Sequence, residues 1–185
     1  MSLIPLGFWA ASGGGGAGAF DLLETTTLAS SAASVTFSSI DQSYKHLQLR
    51  FVARTNTTGF TGTDVFMEFN SSTSGYYKRH SLIGNGSAVS SNGDSTSTHS
   101  HAGYILTDYQ PANIFGTSVI DVLDYSSSSK NTTIRGLNGY AQSGNNFLQL
   151  FSSLWNNTSA VTSVKLDAIQ GDFVAGSRFS LYGVK

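Results

Sequence analysis

Tyr44-Lys45-His46-Leu47-Gln48-Leu49-Arg50-Phe51-Val52-Ala53-Arg54 decides the fold class. Leu47, Leu49, Phe51 and Ala53 alternate with His46, Gln48, Arg50 and Arg54. A period of two turns successive side chains to opposite faces of an extended chain, so the stretch is a strand with one face in a core. The pattern recurs. In residues 64–70, Val65, Met67 and Phe69 oppose Phe66 and Glu68; in 161–169, Val164, Leu166 and Ala168 oppose Ser163, Lys165 and Asp167.

Working outward, further strands are expected over 20–28, 34–40, 76–83, 103–106, 115–123, 132–141, 147–155 and 178–184. Turn signals separate them: Thr57-Thr58-Gly59, Asn70-Ser71-Ser72, Asn85-Gly86, Asn92-Gly93-Asp94, Ser126 to Ser129 and Ser143-Gly144-Asn145. No window holds an apolar i, i+3, i+4, i+7 repeat. Many short strands with polar connections predict an all-β domain, an antiparallel, jelly-roll-like β-sandwich. Leu47, Leu49, Phe51, Val65, Met67, Phe69, Leu166 and Leu181 are expected inside it.

Composition narrows the function. The 185 residues suit one domain, which buries enough surface to need no staple, and there are no cysteines. Charged residues make up 11% of the chain, against about 25% in ordinary domains. A net charge of −1 and scattered basic residues give no electrostatic footprint for nucleic acid. Ser and Thr (48 residues) and Asn (11) take the place of charge. Such small neutral side chains suit a β surface, either partly covered by neighbours or simply solvated and serine-rich.

Residues 1–19 form a separate segment from the domain of residues 20–185. Their apolar part contains no basic n-region and is too short to span a bilayer. Ile4, Pro5, Leu6, Phe8 and Trp9, followed by Gly13-Gly14-Gly15-Gly16, read as an extended attachment arm on a glycine hinge, which would dock on a partner surface or fold back on its own domain. The glycines are not a phosphate loop, because no strand precedes them and no Lys-Ser or Lys-Thr follows.

Catalytic patterns are missing. The chain has two Glu, Glu24 and Glu68, and no Gly-x-Ser-x-Gly elbow; it reads as non-enzymatic and calls for no cofactor. His99 and His101, two apart on an extended chain, would share a face and are the candidate metal ligands for zinc, nickel or iron. Tyr76, Tyr77, Tyr104, Tyr109 and Trp155 lie in or beside turn-rich segments and are candidates for glycan stacking or intersubunit contact, with packing in the core as the other reading.

Leu6-Gly7-Phe8-Trp9-Ala10-Ala11-Ser12-Gly13-Gly14-Gly15-Gly16 and Phe20-Asp21-Leu22-Leu23-Glu24 open a series of stretches with a family likeness. The series continues with Tyr44 to Arg50, Ala112-Asn113-Ile114-Phe115-Gly116, Ser129 to Arg135 and Arg178 to Gly183. In these the chain resembles a family of small virion-associated proteins of tailed phages. The resemblance implies a virion component of decoration (cement) or short fibre type, with no catalytic residues. It also implies a homo-oligomer, a trimer, in contact with other virion proteins of capsid, neck or tail; neither nucleic acid nor a membrane is expected as partner, on the charge and the short apolar run already described. In such a trimer His99 and His101 would line the axis. Host-surface glycan is the alternative partner, bound at a fibre tip.

Overall fold

Alternation along the chain becomes ladder pairing in the computed structural model, which describes residues 18–74, 77–142 and 144–185. Ile4, Pro5, Leu6, Phe8 and Trp9 of the expected arm, and Tyr76, lie outside the described residues. Twelve strands and no helix form among those described. They are β1 (Phe20–Thr27), β2 (Ser34–Phe37), β3 (His46–Thr55), β4 (Gly62–Phe69), β5 (Tyr77–Gly84) and β6 (Val89–Ser97). The second half supplies β7 (Ser100–Thr107), β8 (Gly116–Leu123), β9 (Thr132–Gln142), β10 (Asn145–Trp155), β11 (Val164–Ala168) and β12 (Arg178–Val184).

Eight strands make a large antiparallel sheet in the order β1-β12-β3-β8-β9-β10-β5-β6. Four make a smaller antiparallel sheet, β2-β11-β4-β7, and β7 lies over the middle of the large one. The architecture is thus an all-β sandwich, as the alternation predicts. It is not wholly antiparallel. The end of β3 pairs in parallel with β7 at Arg54 with Leu106 and Thr55 with Thr107, and this joins the two layers.

The core lies between the layers. All eight residues expected inside are at most 2% exposed. Phe37, Tyr77, Phe151, Trp155, Phe173 and Phe179 join them. Aromatic pairs meet edge-on or tilted, as ring quadrupoles favour: Phe69 with Trp155 at 5.5 Å and Phe173 with Phe179 at 4.9 Å between centroids.

Two expectations fail locally. Asn92-Gly93-Asp94 is not a turn but lies inside β6, whose residues are almost all exposed. β6 is an outermost strand with neither face against the core, so no alternation marks it; the ladder to β5 alone holds it extended. Arg54, which parity places on the solvent side of β3, is 4% exposed. Its Nε donates to Asp108 Oδ1 at 3.0 Å, and its guanidinium also donates to the carbonyls of Gln110, Pro111 and Ile114 at 2.6–3.1 Å. The residue is the plug of the β7–β8 connection.

Removing that plug leaves three carbonyls and a carboxylate without their donor. Arg54→Met is therefore expected to lower the unfolding free energy by about 3 kcal/mol, the lower range for breaking a buried charged contact, because Asp108 keeps water. Urea titration of the purified protein measures it. A loss under about 1 kcal/mol would show that the connection closes without the guanidinium.

Candidate interaction surface

Polar residues gather inside the sandwich where β7 crosses β9 and β10. Gln149 and Asn138 face each other across β10 and β9, both inward and both at most 3% exposed. The Gln149 side-chain oxygen accepts from Asn138 at 3.1 Å and from His101 Nε2 at 2.6 Å, while Asn138 Oδ1 accepts the Tyr104 backbone N–H at 3.0 Å. His101 Nδ1 then faces Arg79 Nη1 and Asp64 Oδ1, each at 3.3 Å. Arg79 Nε lies 2.8 Å from Asp94 without aiming its hydrogen there, so that contact is an ion pair rather than a hydrogen bond. With Nε2 donating to Gln149, the imidazole is neutral and accepts from Arg79 at Nδ1.

This arrangement leaves His101 no free nitrogen for a metal. Nor does it share a face with His99, because His99 precedes β7 and sits in the turn after β6. The His99 ring stacks on Phe66, and its Nδ1 is 2.9 Å from Thr98 Oγ1. Side chains two apart share a face only within a strand, and β7 begins one residue after His99. Among the described residues no group of three His, Asp or Glu could hold a metal ion. At 1% exposure His101 cannot line an axis between subunits.

The aromatic candidates separate in the same way. Tyr77 and Trp155 are at most 1% exposed, stacked 6.4 Å apart in the core, and the Tyr77 hydroxyl accepts the Phe69 N–H at 2.8 Å. They offer nothing to a sugar or a second subunit. Their turn-like neighbourhood in the sequence hid that they end and begin paired strands, Trp155 opposite Tyr77. Tyr104 is half-buried against Phe147 and Tyr140, at 4.6 and 6.3 Å, and burial pushes the Tyr140 hydroxyl up to about 12. Tyr109 alone of the described candidates is well exposed, at 63%.

The face of the large sheet turned away from the core carries a feature that no motif signals. Register places Leu82 opposite Leu150, Leu150 opposite Leu137, and Leu137 opposite Val119. Four aliphatic side chains thus stand side by side across β5, β10, β9 and β8, each 40–56% exposed. The next row outward runs Gly84, Leu148, Gly139, Thr117 and Val52, with Leu148 at 58% and Val52 at 48% exposure. Glycines in that row open a groove of about 630 Å³ walled by Val119, Leu137 and Leu148. The row on the other side is polar: Gln48, Asp121, Arg135, Ser152 and His80. There Asp121 takes bonds from Gln48 at 2.8 Å and Arg135 at 2.9 Å. Arg50, beside Val119, stacks over Phe20 and Tyr182. An apolar row with a polar border is the pattern of a contact surface, since an isolated monomer gains nothing by holding it in water. Nothing in the sequence marks it, because Leu82, Val119, Leu137, Leu148 and Leu150 each look like ordinary strand residues; only pairing puts them together.

No protein-family model and no curated protein matches the chain.

The buried imidazole makes stability depend on pH. Burial, with Arg79 adding to it, pushes the His101 imidazole down to about 4. An unfolded histidine titrates near 6.5, so between about pH 6.5 and 4 the unfolded chain binds a proton that the folded one refuses. Stability therefore falls on acidification, by about 3 kcal/mol over the whole window. Burial raises the Asp64 carboxyl, which works the opposite way at the acid end, where the folded state takes up a proton first. The urea midpoint is expected to fall steadily between pH 7 and pH 4.5, and His101→Gln is expected to flatten most of that slope. An unchanged slope in the variant would place the dependence elsewhere.

Proposed function

We propose that the chain is a non-enzymatic structural component of a tailed-phage virion, a capsid decoration (cement) or short fibre-type protein. It attaches through its N-terminal arm and assembles as a homo-oligomer, a trimer, on the particle. The observation that carries this reading is the row of Leu82, Leu150, Leu137 and Val119 on the outward face of the large sheet. These side chains are half-exposed already, and covering the remainder is worth about 1 kcal/mol each. Low charge supports the same reading, because few like charges keep copies apart.

Several carboxylates support a non-catalytic role. Asp21, Asp94, Asp108, Asp121, Asp124 and Asp167 are each matched with a Lys or Arg rather than with a second carboxylate. The resemblance to virion-associated proteins, carried by stretches from Leu6 to Gly183, points the same way. Burial of Tyr77 and Trp155 takes away two of the aromatic platforms on which the glycan alternative rests.

Deleting residues 1–17 leaves β1 to β12 intact, because the first strand begins at Phe20. The truncated protein is expected to fold with unchanged urea midpoint and to be missing from particles assembled in its presence, as read by mass spectrometry of purified particles. Normal occupancy of the truncated form would overturn attachment through the arm. Leu137→Asp with Leu150→Asp, on the exposed row, is likewise expected to fold and to fall at least tenfold in occupancy, the effect of about 1.4 kcal/mol or more. Occupancy equal to the parent would remove this face from the assembly.

A further inference from the structure

Resting on the assembly reading above, the geometry points to an occupant for the groove between Leu148 and Val119: we infer that it receives residues 3–9 of a neighbouring copy of this chain. The two surfaces match in chemistry. Residues 1–9 carry no charged side chain, and Leu3, Ile4, Leu6, Phe8 and Trp9 are large and apolar. None of the residues lining the groove is charged either, and Val119, Leu137 and Leu148 wall it. At about 630 Å³ it has room for two aromatic side chains, on the scale of drug-sized ligand pockets.

Chain length decides which copy supplies the segment. Phe20 begins β1 on one edge of the large sheet, and its ring lies over Arg50 on the outward face. Register carries Phe20 through Val184, His46 and Leu123 to Thr133, four strands across and six residues short of Gly139 in the groove. At about 4.8 Å per strand and 3.3 Å per residue, the groove is about 28 Å from Phe20. Residues 10–19 must span that gap in the same molecule, and fully extended they reach about 33 Å. A Gly-rich chain of that length has a root-mean-square span of about 17 Å. Reaching its own groove would therefore need a nearly straight linker across the Arg50–Tyr182 stack, so the segment is delivered to a neighbour instead.

Gly84 provides a clean block. A Cβ built there meets nothing within 4 Å, and its backbone is outside the left-handed region, so a larger side chain is accommodated at the end of β5. Gly84→Leu fills the groove and keeps its own arm intact. Phe8→Ser with Trp9→Ser spoils the arm and keeps the groove open. Sedimentation velocity on the three full-length proteins, alone and mixed, tests the pairing. Wild type is expected to self-associate, each variant to do so at least about tenfold more weakly, and the equimolar mixture of the two variants to recover a heterodimer. An arm and a groove on different molecules are the requirement for that recovery.

A wild type that stays monomeric, a Gly84→Leu variant that associates like wild type, or a mixture that stays monomeric would each overturn the inference. Particle occupancy separates its failure from failure of the broader reading. Gly84→Leu that associates like wild type in solution and is present at normal occupancy sinks the arm-in-groove contact and leaves a virion component. Wild type absent from purified particles, with pairing intact in solution, sinks the virion reading and leaves the contact.

Discussion

Both layers of the sandwich depend on the last two residues of β3. Strand β3 runs antiparallel between β12 and β8 for most of its length, then pairs in parallel with β7 at Arg54 and Thr55. A single strand thus belongs to the large sheet at one end and to the small sheet at the other. The short parallel ladder would be weak by itself, being two residues long. Arg54 closes it by donating to three carbonyls and a carboxylate of the β7–β8 connection. The small sheet is fixed over the large one because that connection cannot move without leaving acceptors unpaired in the interior.

From that junction the interior divides by chemistry. Toward one end, Phe37, Phe69, Tyr77 and Trp155 pack as an apolar block. Where β7 crosses β9 and β10, the inward positions are His101, Asn138 and Gln149, each given a partner of matching polarity. A half-satisfied network there would cost more than an apolar core, so these residues specify one position of β7 over the large sheet. Ser118 adds to it by donating to the Ala102 carbonyl at 2.7 Å. Meanwhile large aliphatic residues stand on the outside, so the large sheet is apolar on part of both faces. Sheets solvated on one face alternate cleanly between apolar and polar, and this one departs from that where a partner is proposed.

Much of the fold is legible residue by residue. Leu47, Leu49 and Phe51, or Val65, Met67 and Phe69, are read correctly because burial on one face writes a period of two directly into the chain. β6 is illegible for the same reason: neither of its faces is buried, so Asn92-Gly93-Asp94 looks like a turn. Tyr77 and Trp155 are ambiguous in the sequence, open to core packing or to glycan contact, because both sit beside polar turns and nothing local reveals that each opposes the other across a ladder. For His99 and His101, a single residue of offset at the start of β7 sends one ring onto Phe66 and the other into the interior.

What the chain determines by itself is therefore the class of fold, the inward face of most strands and the uncharged, glycine-rich composition of its first 19 residues. Those follow from local periodicity and composition, which require no knowledge of neighbours. Tertiary structure decides the order of strands, the parallel junction at Arg54 and the meeting of Leu82, Leu150, Leu137 and Val119. That last surface exists only through register across four strands distant in sequence, since residues 82, 119, 137 and 150 share nothing until hydrogen bonding sets them side by side. Side-chain character is local, but adjacency is a property of the ladder.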